Sequence, residues 1–209
     1  HINSGEGGLL VSADEAVMAR AILHSGSYML FERHEAAPAT AAFEPFIFDT
    51  ANYSGRMDNL RAAVLRPQLR ALDTSCRRWN ALYALLEQGL RGSDAVVVPA
   101  RPQKEQYVGS SIQFLLPGWS APACASLVAR CADRGVDLKW FGGPAPKGYT
   151  SRFDDWRYIG AAAELPQTSA LLAVLLDMRI PLTFDEEDCA LLAEIILEEV
   201  QEVQRHDAA

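Results

Sequence analysis

The chain has 209 residues, of which 49% are hydrophobic and 22% charged, and its formal net charge at neutral pH is -8. That apolar content is enough to build a core, in one large domain or one and a half smaller ones. The acidic balance argues against a nucleic-acid partner, and no apolar run is long enough to span a membrane.

In chain order, the first feature is a glycine-dense turn, with Gly5, Gly7 and Gly8 running into Leu9, Leu10 and Val11. Glycine tolerates positive φ and close backbone approach, so the turn reads as the edge of a site, followed by a short buried strand over 9–11. It lacks the spacing of a phosphate loop and opens a strand where a dinucleotide fingerprint would open a helix. The Ser12, Ala13, Asp14, Glu15 run has capping-box form and predicts a helix from Ala13 to about His24, stopped by Ser25 and Gly26. From Tyr28 to Thr50 no clean period appears, which predicts a long irregular excursion. Asp58 then caps a helix with Leu60, Ala63, Val64, Leu69 and Leu72 at helical spacing, and Pro67 is expected to kink it.

A second unit starts near Asp94. Strands are expected over 95–98 and 110–116, then a helix capped by Ser120 with Cys124, Leu127, Val128 and Cys131 on one face, ending at Gly135. Residues 136–141 read as the next strand and 142–148 as a loop. Helices over 168–176 and 183–204 complete a small α/β domain, the last capped by Thr183 and Glu186 with Leu191, Ile195, Ile196, Val200 and Val203 inward. Glu194, Glu198, Glu199 and Glu202 are expected to form its solvated face. Cys76, Cys124, Cys131 and Cys189 show no CxxC spacing, so reduced core thiols are expected and a metal site is not.

Among residues that could carry chemistry, Arg56 sits between a small-residue turn and a helix start. There a guanidinium can hold a phosphate or carboxylate, or pair with Asp58. Ser54 is either a phosphate contact or a hydroxyl serving a local backbone group. His1 and His24 read as structural. Phe153, Trp156 and Tyr158 are expected to pack domains together.

The Ser-Gly-Glu-Gly-Gly run of residues 4–8, with its strand and helix, resembles a motif of the DegT/StrS family of pyridoxal-phosphate (PLP) dependent aminotransferases. So does Asn52-Tyr53-Ser54-Gly55-Arg56-Met57-Asp58-Asn59-Leu60-Arg61-Ala62-Ala63, with Gln68-Leu69 and Arg77-Arg78 beyond it. The resemblance runs on through Pro181-Leu182-Thr183 and the closing helix, and covers the C-terminal half of a family member. It implies the type I aminotransferase fold, in the α/β class. Residues 1–92 would end the large PLP-binding domain and carry a dimer-interface segment, and 93–209 would form the small domain. The implied reaction moves an amino group from a donor such as glutamate to a keto group, on a nucleotide-linked sugar or a related secondary-metabolite intermediate. The resemblance also implies a cytoplasmic homodimer with shared active sites.

By the same resemblance a lysine that holds PLP as a Schiff base belongs immediately before His1. Lys104, Lys139 and Lys147 are the only lysines in the chain, and none lies in the apolar context such chemistry requires. Ser54 and Arg56 are the implied cofactor-binding residues, Ser54 standing where relatives carry an asparagine that reaches the partner subunit's phosphate. Tyr28, Trp140 and Phe141 are the implied substrate residues, the alternatives being core packing for Tyr28 and an ordinary strand end with two core aromatics for Trp140 and Phe141. A histidine in place of the lysine would imply a PLP-dependent sugar 3-dehydratase, and a non-enzymatic α/β interaction domain is the remaining alternative.

Overall fold

The computed structural model describes residues 1–26, 30–144 and 164–207. Its elements are α1 (Glu15–His24), α2 (Asn59–Leu90), β1 (Ser111–Leu115), α3 (Ala121–Asp133), β2 (Lys139–Trp140), α4 (Pro166–Leu172), β3 (Leu175–Arg179) and α5 (Glu186–Asp207), with single 3-10 turns at Phe31–Arg33 and Thr40–Ala42. Helices with one small sheet make this an α/β protein. Two compact units emerge, His1–Leu72 and Asp73–Ala209, and the division falls inside α2.

In the unit Asp73–Ala209 the sheet order is β1-β3-β2, with β3 antiparallel to both neighbours. β1, α3 and β2 therefore form a split β-α-β motif with β3 inserted between its strands. Alternation sets the register: Ile112 and Phe114 of β1 are buried, opposite Met178 and Leu176 of β3. Ser120 caps α3 by accepting from the Ala123 N–H at 3.3 Å, and Gly135, at φ 84°, ends it as expected. Cys124, Leu127 and Cys131 lie on its buried face. Burial pushes the Cys124 thiol up to about 11 and, with the nearby Glu199 charge, the Cys131 thiol up to about 12. Leu82, Tyr83, Leu86 and Leu90 of α2 and Ile196, Val200 and Val203 of α5 complete this core.

Several expectations fail here. The predicted helix over 168–176 ends at Leu172, and Leu175 and Leu176 belong to β3, because four consecutive buried positions of this segment are claimed by the centre of the sheet. Of the run 95–98, only Val97 pairs, with Leu115 across an isolated bridge. The 136–141 strand shrinks to Lys139–Trp140. The cap of α5 is the reciprocal pair Asp185 and Asp188, not Thr183 and Glu186: each aspartate accepts the other's backbone N–H, at 2.9 and 3.0 Å. Leu191 is exposed, one position off the buried stripe.

In the unit His1–Leu72 the core is small: Ala19, Ile22 and Leu23 of α1 with Phe43, around which Phe31 stacks at 4.4 Å and Phe46 carries the Arg20 guanidinium on its face. The described part of the 28–50 excursion is thus irregular in backbone but folded around aromatic anchors. The predicted strand over 9–11 is absent, and Leu9, Leu10 and Val11 are exposed. The N-cap of α1 is Asp14, which accepts from Ala16 and Val17 N–H. Asp58 caps α2 through the Arg61 N–H at 2.9 Å, and the helix continues through Pro67. Its expected apolar face is exposed at Leu60, Val64 and Leu69, whereas Leu65 is buried. The predicted contacts of Phe153, Trp156 and Tyr158 lie outside the described residues.

Candidate functional site

The first 68 residues bring the two recognised motifs together. Gln68 of α2 clamps the backbone of Asn3: its Oε1 accepts the Asn3 N–H at 2.7 Å and its Nε2 donates to the Asn3 carbonyl at 2.8 Å. A bidentate amide of this kind fixes both position and direction of the segment it holds. Gly7, at φ 137°, lies against Met57, whose Cε would stand 2.9 Å from a Cβ at that position. Between the glycine-rich turn and the start of α2 opens a cleft of about 260 Å³, lined by residues 2–9 with Met57 and Leu65. Gly5, Gly7 and Gly8 line it as expected of a site edge. His1, expected to pack, is exposed.

A second cluster forms where residues 51–56 fold back on the C-terminus of α1. The His24 carbonyl, an orphan of the helix end, accepts the Tyr53 N–H at 2.9 Å. The His24 Nδ1 lies 2.8 Å from the Ala51 carbonyl, and its ring stacks on Tyr53 at 5.2 Å, which bears out a structural role for this histidine. Gly26, at φ 103°, gives the segment room: a Cβ there would stand 2.9 Å from Asn52 Oδ1 and 3.3 Å from the Ser54 backbone.

Ser54 adopts φ 52°, the one non-glycine residue with positive φ among the described residues. Asn52 holds it there, its Oδ1 accepting the Ser54 N–H at 2.8 Å and lying 3.4 Å from the Ser54 hydroxyl. Arg56 donates Nη1 to the Gly26 carbonyl at 3.2 Å. Asp58 pairs with Arg61 at 2.5 Å, so the alternative of an Arg56–Asp58 salt bridge is overturned. The Arg61 backbone N–H, ahead of its charge, holds the Asp58 carboxyl below the usual range.

Ser54 and Arg56 therefore share one exposed cluster with Gly26 and Asn52. Neither lines the glycine-rich cleft. Sequence reasoning missed Asn52 and Gly26; the signal for Asn52 is its place two residues before Ser54 in a turn-forming run, the spacing of an Asx turn.

In the other unit, Trp140 donates its indole N–H to the Ala173 carbonyl at 2.8 Å, and Phe141 N–H bonds the Leu175 carbonyl at 3.1 Å. Both side chains are half-buried. Gly142 makes the indole's seat: a Cβ there would lie 2.7 Å from Trp140 Nε1 and 2.8 Å from Ala173. Tyr28 lies outside the described residues. Among the described residues no group of three histidine, cysteine, aspartate or glutamate side chains could hold a metal, and no helix is long and apolar enough to cross a membrane.

Residues 1–196 match the DegT/DnrJ/EryC1/StrS aminotransferase family. The chain belongs to this family. None of the curated proteins compared matches it in sequence. Among solved structures it is similar to the aminotransferase TlmJ from Streptoalloteichus hindustanus, at 16% identity and TM-score 0.62 over 73% of this chain and 39% of that one. It is also similar to 3-amino-5-hydroxybenzoic acid synthase, at 20% identity and TM-score 0.57 over 79% and 49%. The PLP form of the putative sugar aminotransferase Spr1654 from Streptococcus pneumoniae matches at 14% identity and TM-score 0.58 over 74% and 38%. The chain thus spans less than half the length of the solved structures it matches.

Proposed function

We propose that the intact protein is a PLP-dependent aminotransferase. It moves an amino group from an amino-acid donor such as glutamate to a keto group on a nucleotide-linked sugar or a related secondary-metabolite intermediate. Family membership supports the reaction class, and the observation that carries it to this chain is the clamp of Gln68 on Asn3, which closes the glycine-rich turn against α2. On this reading the fold is that of type I aminotransferases. Residues 1–92 end the large domain, 93–209 form the small one, and a cytoplasmic homodimer shares its active sites.

The donor set at Ser54 and Arg56 fits a phosphate. One hydroxyl and a guanidinium with, among the described residues, a single carbonyl partner stand exposed on a segment whose backbone is fixed by Asn52 and the end of α1. These residues would hold the phosphate of PLP, which when bound supplies the electron sink of amino-group transfer. Asn52 keeps Ser54 in its left-handed conformation, so the backbone that carries the hydroxyl is set before any ligand arrives. Arg56, anchored through Nη1, keeps its other donors for the anion. Trp140 has its indole N–H occupied by Ala173, so any contact it makes with substrate is through the ring, as is that of Phe141; Tyr28 is the third substrate residue proposed.

Borohydride reduction of the intact protein followed by peptide mass mapping tests the reading. One PLP per chain is expected on a lysine directly preceding His1. PLP retained without covalent fixation points to the 3-dehydratase instead, and no PLP at all removes both.

A further inference from the structure

The loop between α2 and β1 contains no regular element, yet its last residues are held from three sides. Asn80 of α2 donates Nδ2 to the Tyr107 carbonyl at 3.0 Å and accepts the Gly109 N–H on Oδ1 at 2.7 Å. Gly109 lies against Tyr83 so closely that a Cβ would stand 2.5 Å from that residue's Cβ. The Tyr83 and Tyr107 rings meet edge to face at 5.5 Å, and the Arg101 guanidinium lies over both, 4.8 Å from the first centroid and 4.0 Å from the second.

A guanidinium held over aromatic rings in this way is attracted to them without consuming its N–H groups. Arg101 makes no hydrogen bond among the described residues. Its ion-pair partner there is Glu105, at 3.9 Å, beyond hydrogen-bond distance, and the two side chains are 33% and 42% exposed. Beside them opens a cleft of about 300 Å³, walled by Pro99, Val108 and Tyr83 and floored by the polar side chains of Ser111 and Gln113 on β1. That volume is at the small end of ligand pockets and limits the occupant to a small metabolite.

We propose that this cleft binds a free α-amino acid as its zwitterion, with the carboxylate on Arg101, the ammonium on Glu105 and the side chain against Pro99 and Val108. Two opposite charges are held near one another without a hydrogen bond, and a ligand bearing both charges on one carbon satisfies both at once. An inorganic phosphate would gain Arg101 but place its charge beside the Glu105 carboxylate. The proposal uses none of the residues assigned above to cofactor or substrate, so it stands or falls independently of the transamination reading.

Calorimetric titration of the intact protein with L-valine, 3-methylbutanoate, isobutylamine and inorganic phosphate tests it. L-Valine is expected to bind, and the two analogues lacking one charge to bind roughly ten- to a hundred-fold more weakly, as the loss of one charge-assisted hydrogen bond implies. Glu105→Gln is expected to weaken L-valine by a similar factor while 3-methylbutanoate binds as well or better. Arg101→Gln weakens both carboxylates. Because Glu105 is exposed and remote from the core, its variant keeps the test valid if Arg101→Gln unfolds. Absence of L-valine binding, phosphate binding tighter than L-valine, or unchanged L-valine affinity in Glu105→Gln overturns the proposal.

Discussion

In the unit Asp73–Ala209, side chains from α2, α3, α5 and the sheet interlock around Phe114, Leu127, Leu176 and Ile196, all fully buried. In the unit His1–Leu72, among the described residues only Ala19, Ile22, Leu23 and Phe43 form such a cluster, and the chain is tied instead by side chains that bond backbone: Gln68 to Asn3, Asn52 to Ser54, Arg56 to Gly26. The contrast teaches where each unit's specificity comes from. Packing tolerates hydrophobic exchange of similar volume, whereas a hydrogen-bond clamp depends on one amide in one place. The candidate cofactor residues sit in the second kind of structure, where backbone direction is set by polar atoms and the donors remain accessible.

The largest expected effect separates the two cores. Phe114→Ala should cost about 3–5 kcal/mol, the usual range for a fully buried phenylalanine, and appear as a lowered denaturation midpoint for the unit Asp73–Ala209. Phe43→Ala should leave that transition in place and instead raise hydrogen exchange across α1, because the cluster it leaves behind opens locally. A single shared loss of stability in both variants would show that the units unfold as one.

Ser54→Ala is expected to weaken PLP by about 1.5–3 kcal/mol, or roughly ten- to a hundred-fold, with little change in unfolding at saturating cofactor. Ser54→Asn is expected to bind as well or better, since asparagine tolerates the left-handed backbone that Ser54 adopts at φ 52°. Equilibrium PLP titration reads both. Equal dissociation constants for wild type and Ser54→Ala would remove the hydroxyl from the cofactor site.

Within the larger unit, Glu199, expected on the solvated face of α5, is buried instead, and it pairs with Arg130 of α3 at 2.6 Å and with Arg134 just past its end at 3.0 Å. Burial pushes its carboxyl up, but the hydrogen bonds and charges of Arg134 and Arg130 together outweigh this and hold it below the usual carboxylate range. A depressed folded-state value means the stabilisation is present above the ordinary glutamate pKa and is lost as pH falls through the lowered one. Glu199→Gln should cost about 1–3 kcal/mol at neutral pH and flatten the acid limb of the stability curve. An acid limb as steep as that of the wild type would assign the pH dependence to other carboxylates.

The sequence made legible those features that local chemistry decides. Capping residues located α1, α2 and α3 to within two residues, because an N-cap acts on the next turn alone. The glycine turn announced a cleft edge, and the spacing of Cys124, Leu127 and Cys131 gave the buried face of α3. Long-range competition was not legible. Nothing local distinguishes Leu175 and Leu176 as the start of the central strand, since that identity comes from β1 and β2 on either side. The exposed Leu9, Leu10 and Val11 carry strand composition without a strand to pair with among the described residues. At the candidate site, Ser54 and Arg56 were found through the motif. Their anchors Asn52 and Gly26 were not, because a fold-back across the end of α1 is a tertiary arrangement.

The smallest expected effect is also the finest test of the comparison, since the same capping chemistry occurs in both units. Asp14 accepts the Ala16 and Val17 N–H groups at 2.8 and 3.1 Å, and Ser120 accepts that of Ala123 at 3.3 Å. Replacing either by alanine removes about 1 kcal/mol of helix stability. The cap of α3 belongs to a helix whose buried face is shared with β2 and α5, so Ser120→Ala should be felt by the whole unit as a fall in its thermal midpoint. The cap of α1 stabilises a helix whose core is four residues, so Asp14→Ala should appear as roughly fivefold faster amide exchange confined to 15–24, with the main thermal transition unmoved. If Asp14→Ala instead lowers the main transition as much as Ser120→Ala does, the small aromatic cluster of 1–72 is cooperative with the larger core. The division of labour between packing and clamping would then describe local geometry alone.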